Sequence, residues 1–260
     1  MKRQLLIVML MVLLTSLACS FMGYTIGKTE SLEESSAPVM PTSKVSGVGQ
    51  APTLEPSATP YLAKQNEFLD NFDIVSADWT EPMWLTTQAL PGKEHTKISY
   101  EDGWLKFEFF DKETYIYQFN QRPTDANVLV EARMQAGGQM QNGVAIVCRA
   151  ATDYTAWYEF RVSSSGDYAI YRYDKSLKDD DKNPYVLLKK GVSEAIKPMK
   201  ENVMRVMCKD TTLSLEMNGK PVVTVQNSDL KEGGLVGLGA MSADVMPVVV
   251  RFDYFSVTTP

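Results

Sequence analysis

The chain has 260 residues, of which 44% are hydrophobic, 22% charged and 10% aromatic, enough apolar material for one ordinary domain plus a smaller segment, and too much for a wholly disordered polypeptide. Lys and Arg number 26 against 32 Asp and Glu, a formal net charge of -6, which is the wrong sign for wrapping phosphate backbones, so no nucleic acid is expected as a partner. A single histidine, His95, and three cysteines leave no ligand set for a structural zinc and no Ser/His/Asp or Cys/His arrangement to choose among.

Lys2 and Arg3 precede an uncharged stretch from Gln4 to Gly27, Leu/Met/Val-rich at first (LLIVMLMVLL) and still apolar later (ACSFMGYTIG). As a helix it reaches about 36 Å, enough for the hydrocarbon core of a bilayer, and the charged start keeps the N-terminus in the cytoplasm. Residues 1–27 therefore read as a retained signal anchor that contacts the cytoplasmic membrane through residues 4–27. The alternative takes Leu5–Leu14 as a signal-peptide core and Ser16-Leu17-Ala18 as a cleavage site before Cys19, which resembles a bacterial lipoprotein signal with Cys19 as the lipidated residue. Ser16 stands where such signals usually carry Leu, and Phe21, Met22, Tyr24 and Ile26 prolong the apolar run, which favours the anchor. Both readings place the rest of the chain on the extracytoplasmic side.

Residues 28–62 change to Ser, Thr, Pro and Gly, with Pro38, Pro41, Pro52, Pro56 and Pro60 interrupting any helix. Such a segment cannot build a core and reads as a disordered, partly polyproline-like stalk. Residues 63–260 show short segments of period-two alternation, each ended by Gly, Asn, Asp or Pro, which predicts an all-β domain. The expected strands run through 104–110, 114–119, 127–135, 143–150, 156–163, 167–173, 185–190, 203–209, 212–217, 221–226, 235–241 and 248–257. Asn218-Gly219 predicts a two-residue hairpin turn, and Asp102-Gly103 a second before Trp104. So many short antiparallel strands bury their inner faces best as two stacked sheets, a β-sandwich or jelly roll.

Several segments in this order, DNFDIVSADW, YEDGWLKF, NVLVEARM, NGVAIVCRAATDYTAWYEFRVSSSGDYAIYRYD, NVMRVMCKDTTLSLEMNGKPV, GGLVGLGA and VRFDYFSV, resemble the laminin-G-like, concanavalin A-like sandwich modules of exported bacterial proteins. The resemblance is strongest to the 3-keto-disaccharide hydrolase family, DUF1080. It covers nearly the whole folded part and implies a concanavalin A-like jelly roll, while none of these pieces is a catalytic signature.

Glycosidases of such sandwiches usually hold paired carboxylates on one strand in an E-x-D-x-x-E pattern, and this chain lacks it. The nearest candidates are Glu131 and Glu159, each two residues before an arginine, Arg133 and Arg161, that alternation puts on the same face. An arginine neighbour depresses a carboxyl pKa, which suits a binding or structural ion pair better than a general acid, and the plainer reading is solvated cross-strand pairs on one sheet face. Around 156–173, Tyr158, Phe160 and Val162 read as core and Trp157, Glu159 and Arg161 as the opposite face. A ring, a carboxylate and a guanidinium in line make a sugar-binding surface, which Glu131, Arg133, Arg149, Tyr171 and Tyr173 are expected to extend. The plainer alternative buries Trp157 under a loop and leaves the charges to pair.

The acidic loop at Lys178-Asp179-Asp180-Asp181-Lys182 offers oxygen ligands for Ca2+ through Asp179, Asp180 and Asp181, although its lysines fit a solvated loop better. His95 reads as an exposed loop residue. Alternation sends Cys148 inward with Val144 and Ile146, and Cys208 inward with Met204 and Val206, so outside the cytoplasm the two are expected to form a disulfide. Three functions fit: a membrane-tethered, non-catalytic carbohydrate-binding or adhesion module; a glycoside-acting hydrolase or lyase; and a structural cell-envelope module that binds protein.

Overall fold

The alternating segments form fifteen strands in a computed structural model that describes residues 66–86, 96–137, 142–180 and 182–260. The anchor or lipoprotein segment at 1–27, the stalk at 28–62, Cys19, His95 and Asp181 lie outside the described residues. The strands are β1 (Phe68–Asp70), β2 (Met83–Thr86), β3 (Thr96–Glu101), β4 (Trp104–Phe109), β5 (Thr114–Thr124), β6 (Val128–Gly137), β7 (Gly143–Ala150) and β8 (Ala156–Ser163). They continue as β9 (Asp167–Asp174), β10 (Tyr185–Val192), β11 (Glu201–Lys209), β12 (Thr212–Met217), β13 (Lys220–Gln226), β14 (Gly234–Met241) and β15 (Val248–Thr258). One helical turn, Ser176–Asp179, sits between β9 and β10, and no helix among the described residues is long and apolar enough to cross a membrane.

Two antiparallel sheets result. The first runs β13-β12-β11-β6-β15-β4-β3, and β1 pairs with the C-terminal part of β15 beyond the end of β4. The second runs β10-β9-β8-β7-β14-β5-β2. In the first sheet burial alternates along β4, β6, β11 and β12, as in β12, where Leu213, Leu215 and Met217 are buried and the residues between them are not. Alternation of that kind is what a sheet with one face on the core and one in water requires. The inner faces meet in a single core that includes Phe107, Phe109, Ile146, Phe160, Leu238 and Phe252.

The second sheet departs from this pattern. β7 and β14 are buried at every position, because their outward residues are covered as well, by the aromatic cluster described below. The segments GVAIVCRA and GLVGLGAM carry that double burial as almost unbroken runs of small and apolar residues.

Turn chemistry follows the sequence. Asp102 and Gly103 adopt φ of 55° and 73°, Asn218 and Gly219 of 54° and 76°, the positive values a type I′ hairpin needs at both central positions. The short strands β1, β2 and β3 have no counterpart among the expected elements. β1 has three residues, and β2 and β3 pair with the rest of the sandwich on one side only. β3 carries polar residues outward, where Lys97 and Glu101 pair with Glu108 and Lys106 of β4, and only Ile98 and Tyr100 mark its inner side, whereas the apolar alternation of β4 made that strand legible. Between the sheets, Cys148 on β7 and Cys208 on β11 are joined by a disulfide with a Cα separation of 6.8 Å.

Candidate functional site

Inward and outward residues of β8 separate cleanly: Tyr158, Phe160 and Val162 enter the core, while Trp157, Glu159 and Arg161 line the outward face of the second sheet. The register across β8, β9 and β10 sets these three into rows. Trp157 faces Tyr173 and then Tyr185, Glu159 faces Tyr171 and then Leu187, and Arg161 faces Ala169 and then Lys190. On the other side Glu159 is opposite Val147 and Arg161 opposite Ala145, and β14 contributes Gly237 and Gly239 next to β5.

Those two glycines shape the face. A Cβ on Gly239 would lie 2.9 Å from the Tyr117 ring, and one on Gly237 would lie 3.0 Å from the Phe119 ring. With no side chain at either position the rings lie down toward Trp157, with centroids 5.5 and 5.6 Å from its own, and Tyr173 stacks on it at 3.7 Å. Trp157 is therefore fully buried. This corrects the expectation of an exposed Trp157 platform: the ring is the centre of a second hydrophobic cluster, covered by aromatic side chains.

Glu159 is also fully buried and is saturated with donors. Its Oε1 accepts from Arg161 Nε at 2.7 Å and lies 2.5 Å from Arg161 Nη2, and its Oε2 accepts from the Tyr117 hydroxyl at 2.8 Å and Trp157 Nε1 at 3.4 Å. Arg161 is enclosed in turn by the rings of Tyr115, Tyr171 and Tyr185, whose centroids lie 5.0, 4.8 and 5.2 Å from its guanidinium carbon. Burial alone lowers the Arg161 pKa, and Glu159 and the surrounding phenols outweigh it and hold it above its ordinary value. Burial, and then the Glu159 charge, push the phenols of Tyr117 and Tyr185 upward. A group whose folded-state pKa is raised contributes stability below its unfolded pKa and loses it as pH rises. The domain is therefore expected to hold its stability up to about pH 10 and to lose it above, as these phenols ionise on unfolding. Tyrosinate absorbance rising together with the loss of β circular dichroism checks this; phenols that all ionise freely near pH 10 in the folded state would contradict it.

Arg161→Met leaves Glu159 buried without its counter-charge, and the expected cost is about 3 kcal/mol in urea denaturation. The double variant Glu159→Leu/Arg161→Met, which removes both charges, is expected to recover most of it, and a double variant as unstable as the single one would contradict the pairing.

Glu131 and Arg133 do not join this face. They lie on β6 in the other sheet, and Glu131 is paired with Arg205 at 2.6 Å and with the Tyr254 hydroxyl at 2.7 Å, while Arg133 pairs with Asp253 at 2.9 Å. The expected cross-strand pairs are formed, with partners on β11 and β15, while the expectation that Glu131 and Arg133 extend the face of Trp157 is corrected, because β6 lies in the other sheet. Arg149 is corrected too. Its φ of 50° and the register shift opposite β14 turn it out of line with the strand. The buried guanidinium instead donates to the carbonyls of Ala126 at 2.7 Å and Leu230 at 2.8 Å, fastening two loops. Tyr171 belongs to the site, and Tyr173 is buried beneath it. In the acidic loop Asp179 lies in the helical turn and Asp180 pairs with Lys182 at 3.1 Å; no cluster of three or more His, Cys, Asp or Glu is arranged to hold a metal among the described residues.

Three hollows among the described residues are large enough for a ligand; one, of about 460 Å³ beside Trp79, Pro82 and Tyr100, is lined by none of the residues expected at a site, and the other two are. Of those two, one, of about 640 Å³, lies beside β1 and is lined by Glu131, Asp253 and Tyr254, whose polar groups are spent on Arg205, Arg133 and one another. The other, of about 460 Å³, opens on the outward face of the second sheet between Arg161, Tyr168, Tyr171 and Lys190. Lys190 and the groove it lines were not signalled by any motif; only the cross-strand register brings Lys190 into line with Arg161.

No family model matches the sequence, and no curated protein matches it. Solved structures do share its architecture. A prokaryotic β-1,3-1,4-glucanase (lichenase) derived from a mouse hindgut metagenome matches with a TM-score of 0.54 at 10% identity, over 75% of this chain and 100% of that one. The Bacillus licheniformis β-glucanase matches with a TM-score of 0.53 at 9% identity, over 75% and 99%. A Bacillus subtilis protein of unknown function with a galectin-like fold matches with a TM-score of 0.52 at 13% identity, over 75% and 96%. The folded part of this chain is an all-β, concanavalin A-like sandwich of the jelly-roll type.

Proposed function

We propose that the chain is an extracytoplasmic, membrane-tethered, non-catalytic carbohydrate-binding or adhesion module whose binding surface is the outward face of the second sheet. The observation that carries this reading is the groove beside the arginine cage, walled on the outward face by the partly buried Tyr171. A groove of about 460 Å³ is in the size range of small-ligand sites, and phenol rings offer sugars an apolar face together with a hydroxyl. Proteins named as glucanases share the fold, which supports a glycan as the ligand class. The tether rests on Lys2, Arg3 and the apolar segment 4–27, and the stalk on residues 28–62.

A hydrolase needs a carboxyl free to give or take a proton at the substrate. Two acids stand at the groove: Glu159 is buried beneath Arg161 with its oxygens occupied by Arg161, Tyr117 and Trp157, and Asp167, which lines the groove, accepts from the Ser163 and Ser165 hydroxyls. No pair of free carboxyls therefore faces a ligand there, which supports recognition over catalysis.

The test is a glycan array probed with the full chain in detergent. Retention of at least one glycan class is expected, and Tyr171→Ala is expected to weaken it about tenfold while leaving the fold intact. Retention that is unchanged in Tyr171→Ala would reject this face. Release of reducing ends from the retained glycan would favour the alternative, a glycoside-acting hydrolase of the 3-keto-disaccharide hydrolase type.

A further inference from the structure

The cross-strand row that runs Ala145, Arg161, Ala169, Lys190 has small residues on both sides of the arginine. Ala169 leaves a slot in the sheet surface between two cations whose backbones are two strand spacings, about 10 Å, apart. The Arg161 guanidinium is held rigidly by Glu159 and three phenol rings, and among the described residues the one hydrogen bond it donates is through Nε. Its Nη2 is buried against Glu159 Oε1 at 2.5 Å, which leaves Nη1 as the guanidinium nitrogen with no hydrogen bond or ion pair among the described residues, and the side chain lines the groove. Lys190 is exposed and has no ion-pair partner among the described residues.

Two acids stand near this slot. Glu159 lies beneath Arg161 and is consumed by it. Asp167 lies one row away, opposite Val192, and accepts hydrogen bonds from the hydroxyls of Ser163 and Ser165. The charges around the slot balance, two cations against two acids, and what favours an anion over Ala169 is placement: Arg161 and Lys190 lie in its own row, Glu159 is buried beneath Arg161, and Asp167 is one row away.

We infer that the groove takes a sugar bearing a carboxylate, with the acid group seated over Ala169 between Arg161 and Lys190 and the ring against Tyr171. The inference rests on the carbohydrate-binding reading above and names the ligand class for that site. A carboxylate supplies acceptors to both unfilled donors in charge-assisted hydrogen bonds, which are shorter and stronger than those from neutral hydroxyls. A planar guanidinium fixed in orientation adds geometric selectivity that a flexible lysine alone does not have.

The experiment compares, on the full chain, retention by oligogalacturonates and other uronate-bearing glycans with retention by their methyl esters, which keep the same backbone without the charge. The acids are expected to bind about tenfold more tightly, with the advantage shrinking as salt rises and in Lys190→Ala. Lys190 is exposed on the last strand of the sheet, so this variant tests charge without disturbing the core, and an unchanged melting temperature confirms it. Equal binding of acids and esters, or an acid preference unaffected by Lys190→Ala, overturns the inference and leaves the carbohydrate-binding reading standing. Retention of no glycan of either kind overturns that reading, and the inference with it.

Discussion

Trp157→Ala is expected to destabilise the domain by about 5 kcal/mol, the upper end for truncating a buried aromatic residue. The ring is fully buried, stacked on Tyr173 at 3.7 Å and edged by Tyr117 and Phe119, and its Nε1 donates to the buried Glu159. Truncation opens a cavity in a cluster that cannot close over it, since the neighbouring rings rest on Gly237 and Gly239 of a paired strand. It also removes one donor from a carboxylate that has no access to water. A loss of this size rivals the whole stability of many domains, so the variant is expected to be largely unfolded or to melt well below the parent. Urea denaturation checks this, and a change under 1 kcal/mol would mean that the cluster is not the second core described here.

Loss of the disulfide comes next in size. Cys148 and Cys208 join the two sheets across 60 residues of sequence. Closing a loop of that length removes chain entropy from the unfolded state worth about 4 kcal/mol in the loop-closure estimate. Cys148→Ala/Cys208→Ala is expected to lower the stability by that amount in urea. Thiol counting on the unfolded, unreduced chain reads the bond directly: Cys148 and Cys208 are expected to be unreactive until a reductant is added, and free thiols at both positions would contradict the bridge.

The fold was legible in the sequence because period-two alternation survives wherever one sheet face meets water. β11 and β12 show it with inward residues such as Met204, Val206, Leu213 and Leu215. Both hairpin turns were legible for a separate reason, since Asn-Gly and Asp-Gly tolerate positive φ. What alternation cannot assign is the sheet a strand enters. Glu131-Ala132-Arg133 and Glu159-Phe160-Arg161 have the same pattern, yet one lies on the polar face of the first sheet and the other at the buried centre of the second. Their partners, Arg205 for Glu131 and Tyr117 for Glu159, come from strands remote in sequence. The signal that distinguishes them is in β14, where Gly237 and Gly239 on one face of an otherwise apolar strand leave room for rings to lie flat. Arg149 illustrates a different loss. A single register shift turns it from the face its position implies, and nothing local in GVAIVCRA marks that shift.

The claim that glycans are recognised on the outward face of the second sheet is tested most directly by mapping a bound glycan onto the chain with amide chemical-shift changes. Binding is expected to move the signals of Arg161, Ala169, Tyr171 and Lys190 while leaving those of Glu131, Arg205 and Tyr254 on the other sheet unchanged. Shifts confined to the hollow beside β1, around Glu131 and Tyr254, would contradict the account.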